Sequence, residues 1–372
     1  MSAGALSIAH TEASLGWGGQ EIRILREASG MIGRGHQVEL FAPQQARILA
    51  EAPRFGVPAH ALEIGRKRLS ALAAITRLLR ERSFDVVNTH SSTDSWLTAL
   101  AVRGFAALGR RAPVILRTRH VAVPLRDNPP TRWLYRHGAA RIVTTGEALR
   151  RQIIDRLGVD PARVESIPTG IDPAPYALWN RAAARNALGL PPRTPLVGIV
   201  ATIRTWKGHR YLVEAMPLLA RRDALLLIVG DGPERMEVEG LVDSLALRDR
   251  VRFAGQQQDV APWLAALDVF ALPSYANEGV SQALLQAMFS RIPCVTTEAG
   301  AIGEVAREGE TATVVAMNDA GALAQGIDRV LADPSRACEL AERAHALVAS
   351  AHTESQMLER METAFHRALA SR

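Results

Sequence analysis

Short runs of apolar residues alternate along this chain with longer stretches in which apolar side chains recur every three to four positions. In the first half the runs are Leu6–His10, Gln37–Ala42, Phe84–His90, Pro113–His120, Ala140–Thr144 and Val164–Pro168. In the second they are Leu196–Ile203, Ala224–Gly230, Val251–Ala254, Val269–Pro273, Pro293–Thr297 and Thr311–Val315. Continuous apolar runs of this length predict strands buried on both faces, and the helical periodicity between them, as in Ser70–Arg82 and Asp94–Ala107, predicts helices that cover those faces. The fold class is therefore α/β with parallel sheets, and the two sets of runs predict two doubly wound domains. Periodicity stops at PTGIDPAPY (Pro168–Tyr176), where three prolines and a glycine mark the connector. We expect an N-terminal domain over 1–172, a C-terminal domain over 173–353, and a last helix over 354–370 with no strand after it, free to pack elsewhere and join the first domain.

Composition adds little to this picture until charge is divided along the chain. With 372 residues, 48% of them apolar, two cores can be built. Cys294 and Cys338 fall in a strand-like and a helical run, which predicts reduced, buried thiols in a cytoplasmic protein rather than a disulfide framework. Cys/His metal spacing is absent, no window approaches the roughly 20 apolar residues of a membrane span, and no secretory leader pattern opens the chain. Residues 1–170, however, carry 24 Lys and Arg against 14 Asp and Glu, a net of +10, whereas the remainder carries 20 against 24, a net of −4. A basic first half suits an anionic partner, either a phosphorylated substrate or an acidic membrane face. Nucleic acid is not expected, because no recognition module and no array of aromatics accompanies the arginines.

In doubly wound sheets ligands bind beyond the carboxyl ends of strands, so the residues just after each run carry the candidate chemistry. LGWGGQE (Leu15–Glu21) places Gly18 and Gly19 before a helix, where backbone can approach a ligand closely. RTRH ends on His120, which can donate to substrate oxygens. TIRTWKGH (Thr202–His209) offers Arg204 as a fork and Lys207 as a point charge for phosphate oxygens. GDGPE (Gly230–Glu234) is a tight turn around Gly232, and Gln256 follows another short strand. YANEGVSQALLQAMF (Tyr275–Phe289) sets Glu278 and Gly279 at the expected start of a helix whose free N–H groups attract an anion. Taken singly, these stretches also have plain readings: a βα turn at Gly18 and Gly19, a structural histidine at His120, solvated loop cations at Arg204 and Lys207, and turn chemistry alone around Gly232.

Their order is more specific. G-G-x-E, then R-x-x-K-G-H, G-D-G-P and E-G-x-x-x-x-L-L-x-A-M, with a P-x-G-I-D connector, strongly resembles family 4 of the glycosyltransferases. The resemblance implies the GT-B architecture, two facing Rossmann-like domains with an interdomain cleft, and a retaining, metal-independent transfer from a nucleotide-sugar donor, most often a UDP-sugar, with no cofactor. It implies that Arg204 and Lys207 neutralise the donor diphosphate, that the N–H groups of Gly279, Val280 and Ser281 assist them, and that Glu278 accepts hydrogen bonds from sugar hydroxyls. His120 would stand near the transferred sugar, Gly18 and Gly19 would meet phosphate and acceptor, and Gly232 and Gln256 would border the base. Many members carry a second Glu eight residues after the first to hold the ribose; here that place is Gln286, which lacks the charge. Thr145-Gly146-Glu147 likewise replaces a common S-E, and Ser281 and Gln282 replace small or apolar residues. The expected acceptor is a saccharide or lipid-linked saccharide of a lipopolysaccharide-type surface glycan, with peripheral membrane contact through the basic domain. The alternatives are a small soluble acceptor, an epimerase of the same fold, and a non-enzymatic sugar- or nucleic-acid-binding protein.

Overall fold

The computed structural model describes residues 4–120, 125–276 and 278–371. Within them each apolar run supplies a strand. In chain order these are β1 Ser7–Thr11, β2 Gln37–Ala42, β3 Ala59–Ala61, β4 Val86–Thr89, β5 Val114–Arg119, β6 Arg141–Thr144, β7 Val164–Ser166, β8 Leu196–Val200, β9 Leu225–Val229, β10 Val251–Gly255, β11 Val269–Leu272, β12 Cys294–Thr296 and β13 Thr313–Val314. β3 is the one that no apolar run announces. Its three residues, Ala-His-Ala, sit at a sheet edge, where half-exposed positions require no apolar run.

The chain divides into two compact units, one made of residues 1–168 with 357–372 and the other of 169–356. In the first unit the strands lie parallel in the order β3-β2-β1-β4-β5-β6-β7. The order reverses between β1 and β4, so the crossovers leave the carboxyl ends of those two strands side by side. The helix Leu69–Glu81 buries Ala71, Ile75, Leu78 and Leu79, the face its periodicity predicts. The final helix, Glu354–Ala370, packs here: Met357, Leu358, Met361, Ala364, Phe365 and Ala368 join the core built on Ile24, Leu25, Val38 and Leu40. Each large apolar side chain so buried contributes roughly 1.5–3 kcal/mol, which is what draws a strandless helix onto this sheet. Gly30 makes the fit, because a Cβ there would strike Leu358.

In the second unit the order is β10-β9-β8-β11-β12-β13, again all parallel, with the reversal between β8 and β11. Cys294 is buried at the start of β12, and burial pushes its thiol well above the usual range. Cys338 departs from the expectation. It lies on the exposed face of the helix Pro334–Ala351, where the buried positions are Ala337, Leu340, Ala341, Ala344 and Val348. Among the described residues no helix is long and apolar enough to cross a membrane.

Candidate active site

The reversal in the second unit sets the loop after β8 beside the loop after β11, and the two are joined. Tyr275 N donates to Trp206 O at 2.9 Å. Gly208 turns at φ 75° with its α-carbon pressed against the Pro273 carbonyl, a place no Cβ can occupy. This approach brings Lys207 Nζ to 2.7 Å from Glu278 Oε1. The same carboxylate oxygen accepts from Ser274 Oγ at 2.7 Å, and Ala301 N donates to the Glu278 carbonyl at 3.0 Å. Thr297 Oγ1 in turn donates to the Ser274 carbonyl. Glu278 is 6% exposed and Lys207 19%, so the carboxylate is held from behind while the ammonium keeps a solvent face. Arg204 shares the loop but does not join the pair: its guanidinium lies over the Trp206 ring at 5.3 Å. His209, beneath Lys207, is pushed down to about 3 by burial and by the lysine's charge, and so adds no positive charge of its own.

Glu278 does not open a helix, contrary to the sequence expectation. The helix runs Gln282–Phe289, with Ser281 as its extended N-cap at φ −66° and ψ 123°. Glu278, Gly279 and Val280 form the turn that precedes it. Gly279 and Val280 therefore offer turn N–H groups, and only Ser281 belongs to the helix start. The signal was present, since Ser is a preferred N-cap residue standing directly before the apolar run. The Val280 side chain belongs to the core of this unit. Gln286 lies within the helix and is mostly buried. Gly230 and Gly232 pack against the backbones of Ala201 and Ile203, tying the loop after β9 to the loop after β8. Gln256 is exposed just past β10. Arg204, Lys207, Gly232, Gln256 and Glu278 thus all lie on the carboxyl edge of one sheet, on the loops after four strands that are neighbours in the order β10-β9-β8-β11. Sequence reasoning missed Ser274, Thr297 and Gly300, the last packed at φ 61° against the Glu278 carbonyl.

The first unit gathers polar groups at its own reversal. Gly18 caps the helix Gly19–Gly33 and accepts from Ile22 N at 3.1 Å. Glu12, just after β1, accepts from Ser14 N at 2.7 Å and from Gln20 Nε2, which pins the glycine loop. Asp94 accepts from Thr11 Oγ1 at 2.8 Å, His90 N at 2.9 Å and Ser91 N at 2.8 Å. His120 is buried and its Nε2 lies 2.9 Å from His90 Nδ1, while His90 Nε2 lies 2.9 Å from His10 Nδ1. Burial pushes His10 down to about 3, and burial with the neighbouring rings and Arg23 holds His90 and His120 well below the ordinary range. Neither His10 nor His90 was singled out from the sequence. Among the described residues no group of three or more His, Cys, Asp or Glu is arranged to hold a metal ion.

Burial and the nearby Asp94 carboxylate push Glu12 up to about 8, and burial pushes Glu27 up to about 7. A carboxyl whose folded pKa exceeds its unfolded value stabilises the fold while protonated and loses that contribution as pH rises through the folded pKa. The depressed histidines act oppositely, and only below about 6.5, their unfolded value. Between pH 6.5 and 8.5 the melting temperature is therefore expected to fall, and Glu12→Gln, which cannot ionise, to flatten that slope. Calorimetry of both proteins across the window checks this, and parallel pH curves would remove Glu12 as the cause.

Two doubly wound units, each with charged or polar groups assembled at its strand-order reversal, define a GT-B-type protein. Residues 17–175 match a family profile described as Glycosyltransferase Family 4, and residues 194–333 one described as Glycosyl transferases group 1. The chain belongs to family 4 of the glycosyltransferases. It is 27% identical to a D-inositol 3-phosphate glycosyltransferase of Nocardia farcinica, over 95% of this chain and 87% of the relative. Among solved structures it resembles a glycosyltransferase from Rickettsia africae with TM-score 0.86 at 18% identity, covering 99% of each chain. It also resembles Anabaena HepE in complex with UDP and glucose, with TM-score 0.84 at 18% identity, over 97% of this chain and 100% of that one.

Proposed function

We propose that this protein is a retaining, metal-independent glycosyltransferase that moves a sugar from a UDP-sugar to an anionic acceptor. The observation that carries the reading is the Lys207–Glu278 pair at the reversal of the second sheet. A cation with a solvent face, beside a carboxylate already held by Ser274, suits a diphosphate next to sugar hydroxyls. Lys207 would neutralise charge on the departing diphosphate, where preorganised charge lowers a barrier most. Arg204 would leave the Trp206 ring to join it. The acceptor hydroxyl would attack the anomeric carbon from the face the diphosphate leaves: the new C–O bond forms as the bond between C1 and the phosphate oxygen breaks, and the acceptor proton passes to that leaving oxygen. Gly18, Gly19 and His120 would serve the acceptor and the transferred sugar, and Gly232, Gln256 and Gln286 the nucleoside.

The base is read as uracil because HepE carries UDP. The net +10 of residues 1–170 favours an acceptor with negative charge. A phosphorylated polyol is favoured by the Nocardia relative's name, whereas a lipid-linked saccharide would bring a cytoplasmic enzyme to the inner membrane face. Thermal-shift measurements with UDP, GDP and ADP test the donor. UDP at a hundredfold excess over its Kd is expected to stabilise by about 2.7 kcal/mol, and no shift with any of the three would remove the donor site. Transfer from UDP-glucose to inositol 3-phosphate in EDTA, followed by proton NMR of the fresh product, tests the chemistry. An inverted linkage, or activity that returns only with Mg²⁺, would overturn the mechanism.

A further inference from the structure

We propose that His90 and His10 are positioning residues that, through a one-way hydrogen-bond chain, hold His120 as the tautomer protonated on Nδ1. The inference rests on the reading of His120 as a substrate contact. The three rings come from three strand ends of the first unit, after or within β1, β4 and β5, and are consecutive in space. His10 Nδ1 to His90 Nε2 is 2.9 Å, and His90 Nδ1 to His120 Nε2 is 2.9 Å. The His10 and His90 rings lie nearly parallel, 6° apart, with centroids 5.1 Å apart.

Burial holds all three rings neutral. Each ring therefore has one N–H and one lone pair. Each ring-to-ring contact takes one of each, so the chain has only two arrangements. In the first, His10 Nδ1–H donates to His90, His90 Nδ1–H donates to His120 Nε2, and His120 keeps its proton on Nδ1. In the second, every proton sits on Nε2, and His10 Nε2–H becomes a buried donor. His10 Nε2 is buried and has no hydrogen-bond partner among the described residues. A bare buried lone pair is tolerated more readily than an orphaned buried N–H, so the first arrangement is selected. His120 then presents Nδ1–H, the tautomer that free histidine disfavours, and its Nε2 lone pair is already taken by His90. It can donate to a substrate oxygen but has no basic nitrogen to offer. The end of the chain that decides this, His10, stands two ring-to-ring contacts away from His120.

Long-range ¹H–¹⁵N NMR of the full chain labelled with ¹⁵N-histidine tests the arrangement. His120 is expected to show a protonated Nδ1 and an unprotonated Nε2. In His90→Met the Nε2-protonated form should take over, and kcat on UDP-glucose should fall about tenfold or more with KM little changed. In His90→Gln, whose amide can accept from His10 and donate to His120, the tautomer and most of the turnover should return. A parent spectrum with His120 protonated on Nε2 overturns the proposal, as does a His90→Met protein with unaltered tautomer and kcat. Should His90→Met fail to fold, the parent and His90→Gln spectra still decide. Failure of the transferase reading is separable: a parent protein that transfers no glucose from UDP-glucose and shows no stabilisation by UDP would sink that reading and leave the tautomer result standing.

Discussion

Lys207→Ala is expected to lower kcat for transfer from UDP-glucose by about 10²- to 10³-fold, the loss typical when one preorganised group that meets developing charge is removed. The ammonium stands 2.7 Å from Glu278 Oε1, so its position is set before any donor arrives. Removal has a second consequence: Glu278, 6% exposed, loses its counter-charge, and a buried carboxylate left without a partner is costly. The single variants and the Lys207→Ala/Glu278→Ala double variant should therefore be far from additive, with the double variant little worse than either single one. Lys207→Arg should not restore turnover, because a planar fork cannot occupy the place of a compact ammonium between the two loops. Steady-state kinetics on the parent and the four variants checks each point. An additive cycle would mean that the pair does not act as one unit.

Gly208→Ala carries the largest expected cost in stability, roughly 3 kcal/mol or more. Two effects combine. The backbone turns at φ 75°, where a Cβ is disfavoured, and the added methyl would enter the Pro273 carbonyl well inside contact distance. The chain can relieve the clash only by parting the loop after β8 from the loop after β11, which also separates Lys207 from Glu278. Stability and turnover should fall together. Gly240 provides the control: it lies in the helix Arg235–Ser244, and a Cβ there meets nothing within 4 Å. Gly240→Ala should stabilise by about 0.5–1 kcal/mol. Denaturant midpoints for both variants decide the matter, and equal midpoints would show that the approach of the two loops is not tight.

Strand positions were legible because a strand buried on both faces must be apolar throughout, and that requirement is written locally in runs such as Leu196–Ile203 and Val269–Pro273. The edge strand β3 escaped notice because an edge is free of that requirement. The start of the helix at Gln282 was misplaced by four residues because an acid followed by a glycine resembles a helix entrance, whereas the extended backbone of Ser281 postpones it. Cys338 was misassigned because a helical run does not reveal which of its positions faces outward.

The amino-acid sequence by itself determined the α/β class, the number of strand-forming runs, the chemistry available at their ends and the family. All of these are local: the period of apolar residues, the glycines, and short motifs whose residues stand within one loop. Only the tertiary structure decided which ends meet. Lys207 reaches Glu278 because β8 and β11 become neighbours where the sheet order reverses, and His10 reaches His90 across 80 residues because β1 and β4 do the same. Strand order follows from how crossover helices share two faces of a sheet, a competition among non-local packings that no single segment encodes.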